Sequence, residues 1–95
     1  PAEVENALDE LSQVRESAVI GVPHPDMGEG IIAVVVPAVS GFSDGAALKA
    51  ALADSLARFK QPRVIAFVEE LPKNTMGKVQ KTVLREEFAT TFEPH

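Results

Sequence analysis

Cysteine is absent from the 95-residue sequence, which excludes a disulfide scaffold and a thiolate metal site. No apolar run approaches the roughly 20 residues that a membrane-spanning helix needs. The first five residues are acidic and polar and do not resemble a signal peptide. We therefore expect a cytoplasmic protein without a membrane span. Position 1 is proline rather than an initiator methionine, and we expect the sequence to begin inside a longer protein.

Apolar residues make up 45% of the sequence and charged residues 24%, a balance that supports one folded domain with its own core and argues against disorder. The net charge is −5, but residues 58–85 contain seven Lys or Arg against two acids. An acidic chain with one basic third is not a general nucleic-acid binder. The basic third can instead provide a local site for a small anion.

Hydrophobic periodicity predicts an α+β fold, a small three-stranded sheet packed with about three helices. The predicted helices cover residues 2–11, 44–57 and 79–88, and the predicted strands cover residues 17–22, 31–36 and 64–68. The second strand is almost continuously apolar and is expected to be buried on both faces. Ser43 is a plausible N-cap for the second helix. The order of strands in the sheet does not follow from the pattern.

The strongest candidates for functional residues lie in residues 71–85, where a polar loop leads through Gly77 and Lys78 into the last predicted helix. Lys78, Lys81 and Arg85 would share one helical face if the helix reached back to Lys78. A lysine on a braced loop can extend into the site of another domain, and its ammonium suits a phosphate or a carboxylate. The alternative is that Gly77 only turns the chain and that Lys78 is a solvated surface lysine.

The Gly-Lys pair is not a P-loop, because Pro72 stands where the first glycine of that motif belongs and Val79 replaces its Ser or Thr. The pattern that it does fit is longer. The run Pro-Lys-x-x-x-Gly-Lys-x-x-Lys-x-x-Leu-Arg over residues 72–85 resembles the C-terminal signature of the adenylate-forming superfamily. That superfamily contains acyl-CoA synthetases, adenylation domains of peptide synthetases and firefly luciferase.

Three further stretches match the same superfamily in the expected order. They are Pro-Ala-Glu-Val-Glu with Leu8 at the start, residues 18–23 followed by Gly28-Glu29, and residues 59–63 followed by Phe67-Val68 and Leu71-Pro72. The resemblance covers nearly the whole chain. It identifies residues 1–95 as the mobile C-terminal domain of an AMP-forming acyl-CoA synthetase that lacks its large N-terminal domain and its hinge. By itself such a domain is expected to be inactive.

The resemblance implies a two-step reaction in which a carboxylic acid and ATP give an acyl-adenylate, and coenzyme A then displaces AMP. It makes Lys78 the catalytic lysine of the first step, with Gly77 beside the ATP and acyl-adenylate. It assigns Phe59, Lys60 and Arg63 to the nucleotide end of CoA, with Gln61 departing from the basic residue that some relatives carry there.

The resemblance also implies partners and cofactors. ATP and CoA are substrates, Mg²⁺ arrives with ATP and is bound mainly by the large domain, and no metal ligands are expected in this chain. Residues 74–81 look closest to malonyl-CoA synthetases. Family members are often controlled by acetylation of the catalytic lysine, so a lysine acetyltransferase and a deacylase are further expected partners acting on Lys78.

Two other classes of function remain open from the residues alone. One is a free-standing regulatory module that binds a small anion without catalysis, and the other is an interaction domain in which Lys78 is dispensable. His24, Asp26 and Glu29 lie close together in one predicted loop. A single histidine with two carboxylates is weak support for a metal site, and we interpret these side chains as part of a solvated turn.

Overall fold

The structure is a computed structural model that describes residues 2–26, 28–39, 41, 44–53 and 62–92. Within these ranges the chain forms three helices and three strands. They are α1 (Ala2–Asp9), β1 (Val14–His24), β2 (Gly28–Pro37), α2 (Gly45–Ala53), β3 (Val64–Phe67) and α3 (Lys81–Glu87). The predicted α+β class and the predicted order of elements are confirmed.

The three strands form one sheet in the order β1-β2-β3. Strands β1 and β2 form an antiparallel hairpin in which His24 pairs with Gly28, and β2 pairs with β3 in parallel. A parallel pair needs a crossover connection, because the chain must return to the same end of the sheet. The helix α2 lies in the connection between β2 and β3, so the chain from β2 to β3 has the β-α-β order.

The central strand β2 divides the hydrophobic core into two halves. Its residues 32–36 are all buried, as the continuous apolar run predicts, and successive side chains point to opposite faces. Ala33 and Val35 pack with Leu8 of α1 and Leu52 of α2 in the first core, whose other buried members are Val4, Val14, Val19 and Leu48. The second core lies on the opposite face and contains Ala18, Ile20, Val22, Ile32, Val34, Val36, Leu71 and Leu84. The buried Leu84 of α3 therefore anchors the last helix to the face of the sheet opposite α1 and α2.

The strand β1 is longer than predicted, because Pro23 and His24 belong to its end rather than to a loop. Proline cannot donate to a ladder of hydrogen bonds, but it is tolerated in an edge strand, and β1 is an edge of this sheet. The turn of the hairpin is correspondingly shorter than the predicted loop.

The boundaries of α1 and α2 also differ from the prediction. The N–H of Leu11 donates to Leu8 at 3.0 Å in a tighter turn, so α1 ends at Asp9 although Leu11 still packs against the first core. Helix α2 is capped by Asp44, whose Oδ1 accepts the N–H of Ala47 at 3.0 Å. The predicted cap, Ser43, and the predicted continuation over residues 54–57 lie outside the described residues.

In the part of the chain that the structure describes, no helix is both long enough and apolar enough to cross a membrane.

Candidate functional site

Lys78 lies on a tight hairpin that precedes α3. Residues 72–80, named here the Lys78 hairpin, are closed by three backbone hydrogen bonds: Asn74 N–H to Lys78 at 3.0 Å, Gly77 N–H to Asn74 at 3.0 Å and Gln80 N–H to Pro72 at 2.8 Å. Lys73 and Val79 face each other as an antiparallel bridge. The segment predicted as a polar loop is thus a hairpin closed by hydrogen bonds.

The side chain of Asn74 braces this hairpin from within. Its Oδ1 accepts the N–H of Met76 at 2.9 Å and the N–H of Lys78 at 3.0 Å. Asparagine is favoured in turns because its side chain can bond the backbone two residues on. That preference is the signal by which Asn74, which was not predicted as part of the site, could have been identified from sequence.

Gly77 has a φ of +82°, a conformation that residues with a Cβ rarely adopt. A Cβ built there would meet no atom within 4 Å, so the constraint on this position comes from the backbone and not from crowding. Gly77 therefore turns the chain immediately before Lys78.

The condition under which Lys78, Lys81 and Arg85 would share one helical face is not met, because the last helix does not reach back to Lys78. Helix α3 begins at Lys81, and Lys78 belongs to the hairpin that precedes it. The positive φ of Gly77 and the bridge between Lys73 and Val79 keep the chain out of helical geometry up to that point.

The three lysines of this region differ in what their ammonium groups contact. Lys73 forms an ion pair with Glu16 of β1, and Lys81 forms one with Glu5 of α1 at 2.6 Å. The side chain of Lys78 is exposed and makes no ion pair or hydrogen bond with any described residue. Lys78 is thus the lysine of this hairpin whose charge is available to a ligand or to another domain.

Glu5 joins three elements at the base of the Lys78 hairpin. Its Oε2 accepts the backbone N–H of Val19 in β1 at 2.7 Å and also contacts Lys81 at the start of α3. Partial burial alone would raise the pKa of Glu5, but the hydrogen bonds from Lys81 and Val19 and the charge of Lys81 outweigh burial and hold that pKa below its ordinary value. Glu5 is therefore held as a carboxylate at neutral pH.

Of the residues assigned to CoA by resemblance, Phe59 and Lys60 lie outside the described residues. Arg63 immediately precedes β3 and has an exposed side chain, while its backbone N–H donates to Ile31 at 2.9 Å. Its carbonyl oxygen accepts Lys49 Nζ at 2.6 Å. Lys49 and Arg63 line a shallow cavity of about 310 Å³ together with Gly45, Ala46, Val64 and Ile65. Lys49 could not be identified from the sequence, because no local pattern relates α2 to the start of β3.

The side chains of the β1–β2 turn have local structural contacts. His24 Nδ1 accepts the N–H of Asp26 at 3.1 Å, and the His24 ring lies against the ring of Phe92 with centroids 5.0 Å apart. Glu29 covers Gly21, where a Cβ would clash with the Glu29 carboxylate. Among the residues described, no three His, Asp or Glu side chains are grouped in a way that could hold a metal ion.

The fold and the Lys78 hairpin together define a small α+β domain that presents one unpaired ammonium on a braced loop. The family described as AMP-binding enzyme C-terminal domain matches residues 3–78, so its match ends at Lys78 itself. The chain belongs to this family. The resemblance noted from the four ordered motifs is thereby confirmed.

Similar proteins are CoA ligases and related synthetases. A Rhodococcus jostii (strain RHA1) CoA ligase for a methyl-dioxo-octahydroindenyl propanoyl group is 54% identical over 89 residues, covering 92% of this chain and 17% of that protein. A feruloyl-CoA synthase of an Amycolatopsis species is 46% identical over 88 residues, covering 93% of this chain and 18% of that protein.

Among solved structures, apo MatB from Rhodopseudomonas palustris is similar with a TM-score of 0.93 and 49% sequence identity, over 98% of this chain and 19% of that chain. The chain therefore spans less than a fifth of the length of each of these relatives. What it shares with them is their C-terminal domain.

Proposed function

We propose that this chain is the mobile C-terminal domain of an AMP-forming acyl-CoA synthetase and that Lys78 is its adenylation lysine. The observation that carries the proposal is the contrast among the three lysines: Lys73 and Lys81 are held in ion pairs, whereas Lys78 is exposed and unpaired on a hairpin with fixed geometry. Membership of the family supports the assignment, since relatives of this domain belong to CoA ligases.

In the first half-reaction, a carboxylate oxygen of the acid attacks the α-phosphorus of ATP, and the bond from that phosphorus to pyrophosphate breaks. Two anions must approach each other, and negative charge builds on the phosphoryl oxygens as pyrophosphate leaves. An ammonium placed at those oxygens stabilises the transition state more than the ground state. The hairpin fixes the position of Lys78 in advance, so little of this benefit is lost to ordering the loop during the reaction.

In the second half-reaction, the thiol of CoA attacks the acyl carbon and AMP leaves, so the product is a thioester. We assign Phe59, Lys60 and Arg63 to the nucleotide end of CoA, with Phe59 stacking on adenine and the two cations meeting phosphates. The exposed Arg63 beside Lys49 supports the cationic part of this assignment. The lysine of the first step has no role in this step.

Mg²⁺ accompanies ATP as part of that substrate, and we place its ligands on the large domain. The described residues of this chain do not provide a suitable group of oxygen donors. The Mg²⁺ ion would neutralise part of the negative charge of the triphosphate. The large domain is accordingly the principal partner of this chain.

The acyl substrate that we favour is malonate, because residues 74–81 resemble malonyl-CoA synthetases. The similarity to the MatB structure is compatible with this choice. The relatives with other acids in their names, such as the feruloyl-CoA synthase, share the same C-terminal domain at comparable identity. The acid pocket therefore belongs to the large domain, and the choice of malonate is tested by comparing malonate with other acids in the parent enzyme.

We further propose that a cytoplasmic acetyltransferase acetylates Lys78 and that a deacylase reverses the modification. The exposed and unpaired ammonium of Lys78 is accessible for such a modification. Acetylation removes the charge that the adenylation step requires. Mass spectrometry of the protein isolated from its native cells tests this part, and unmodified Lys78 under all growth conditions would contradict it.

The central experiment scores the two half-reactions separately in the parent enzyme. Lys78→Ala should lower acid-dependent exchange of pyrophosphate into ATP by roughly 10² to 10³-fold, the usual cost of losing one group that stabilises developing charge. Thioester formation from pre-made acyl-adenylate should survive. Arg85→Ala is the matched control, because it removes an exposed cation seven residues further along without touching the hairpin. Exchange at wild-type rate in Lys78→Ala would refute the assignment.

A further inference from the structure

We propose that Glu5 is a positioning residue for Lys78 and that it acts through Lys81. This inference rests on the proposed function of Lys78 and names a residue of the same site that lies on a different element, far away in sequence. Glu5 would contact neither ATP nor the acid. Its role would be to fix the point at which the Lys78 hairpin ends and α3 begins.

The start of α3 needs such support because its own sequence provides little. Gln80 is the N-cap residue and makes no side-chain capping hydrogen bond. Lys81 occupies the first helical position, where the helix dipole disfavours a positive charge. The carboxylate of Glu5, 2.6 Å from Lys81 Nζ, compensates that charge and fixes the position of the first residue of the helix.

Glu5 is itself fixed to the rigid part of the domain. Its neighbours on α1, Val4 and Leu8, are 1% and 0% exposed and belong to the first core. The same carboxylate oxygen accepts the N–H of Val19 in β1. Glu5 therefore transmits the position of the sheet and of α1 to the start of α3.

Gln80 then connects the start of α3 to Lys78. Its backbone N–H donates to Pro72 at 2.8 Å, and its Nε2 donates to the carbonyl oxygen of Lys78 at 3.2 Å. A displacement of Lys81 moves Gln80, its neighbour in sequence, and through Gln80 it moves both arms of the hairpin. The ion pair between Lys73 and Glu16 holds the entering arm to β1 in the same way, so the hairpin is fixed to the domain at both of its ends.

Pairing with Glu5 has a second consequence for the adenylation step. An unpaired Lys81 would carry a second mobile ammonium three residues from Lys78, available to the same phosphates. Glu5 neutralises the charge of Lys81, so of these two lysines only Lys78 is available to contact the substrate. Loss of Glu5 would therefore both loosen the hairpin and provide a competing cation.

The test uses the parent enzyme with Glu5→Gln and, separately, Lys81→Met, scored in both half-reactions. Each variant should lower the kcat of adenylation by about tenfold, within the roughly 10²-fold that a 1 Å misplacement can cost. The KM for ATP should change little, because ground-state binding is not what Lys78 supplies. Lys81→Arg, which keeps the ion pair, should retain most of the wild-type kcat. Glu10→Gln is the matched control for Glu5→Gln, since it removes an exposed carboxylate just beyond α1.

Two features separate a positioning role from a merely structural one. Thioester formation from pre-made acyl-adenylate needs a folded domain but not Lys78, so it should be unchanged in both variants. The double variant should lose no more adenylation than either single variant, since both break the same ion pair. Equal losses in the two half-reactions, or unchanged adenylation in both single variants, would overturn the inference.

The proposed function can fail independently. If Lys78→Ala itself leaves pyrophosphate exchange intact, the adenylation lysine has been misassigned and the role of Glu5 falls with it. If Lys78→Ala abolishes exchange while Glu5→Gln and Lys81→Met do not affect it, Lys78 keeps its role and only the positioning inference is refuted.

Discussion

Gly77→Ala perturbs the Lys78 hairpin through its backbone alone. The φ of Gly77 is +82°, and a Cβ added there meets nothing within 4 Å, so no steric clash contributes. Holding a residue with a Cβ in the left-handed region costs roughly 1–2 kcal/mol. For a domain of this size that corresponds to a fall in Tm of about 4–16 °C. The 95-residue chain should show this shift in thermal unfolding followed by circular dichroism.

The same substitution should have a specific effect on catalysis in the parent enzyme. Alanine at this position favours a different φ, so the hairpin will populate conformations in which Lys78 is displaced. We expect adenylation to fall by about tenfold or more, and thioester formation from pre-made acyl-adenylate to be preserved. Gly77→Asn should be intermediate in both stability and adenylation, because asparagine tolerates this region of φ better than alanine.

Gly28→Ala provides the matched control for this prediction. Gly28 has a φ of +74° and equally open space around a built Cβ, but it lies in the β1–β2 hairpin. The two variants should therefore lose similar stability, and only Gly77→Ala should lose adenylation. Equal loss of adenylation in both would show that the effect is general destabilisation, and an unchanged Tm in Gly77→Ala would contradict the conformation assigned to Gly77.

Two further predictions concern the contacts that support the hairpin. Asn74→Ala removes the acceptor for two backbone N–H groups and should lower the free energy of unfolding, measured by chemical denaturation, by about 1–2 kcal/mol. Adenylation by the parent enzyme should fall as well. Asn74→Asp keeps the acceptor and should retain the stability, and equal losses in both variants would contradict the bracing role. The lowered pKa of Glu5 predicts a contribution to the free energy of unfolding that is fully present above the pKa of an unfolded glutamate and is lost as the pH falls through the lower folded value. The stability difference between wild type and Glu5→Gln should therefore shrink on acidification, and a difference that is independent of pH would refute the ionic role of Glu5.

Much of the fold could be predicted from sequence because its pattern is locally unambiguous. The apolar run 31–36 is short and mostly β-branched, which favours a strand covered on both faces, and the structure buries residues 32–36 accordingly. The ends of elements were less predictable, since they depend on tertiary context. Pro23 can continue β1 because that strand lies at the edge of the sheet. The order of strands in a sheet cannot be predicted from a local sequence pattern, so this extension could not be predicted either.

The candidate site shows a similar division between local and long-range information. Gly77 and Lys78 could be singled out from a local motif, and the positive φ of Gly77 agrees with its place in that motif. Spacing left open whether the last helix reaches back to Lys78, because the bridge between Lys73 and Val79, which keeps Lys78 in the hairpin, cannot be predicted from helical spacing. Lys49 could not be predicted as part of a site, because it is brought close to Arg63 only by the packing of α2 beside β3.

The four basic residues at positions 73, 78, 81 and 85 look alike in the sequence, and the fold separates their roles. Two of them are paired with acids that lie more than 50 residues earlier in the chain, Lys73 with Glu16 and Lys81 with Glu5. Those acids come from α1 and β1, elements that otherwise serve the core. Under the proposed function, the acids at the start of the chain support a site at its end, and a local motif cannot reveal that connection.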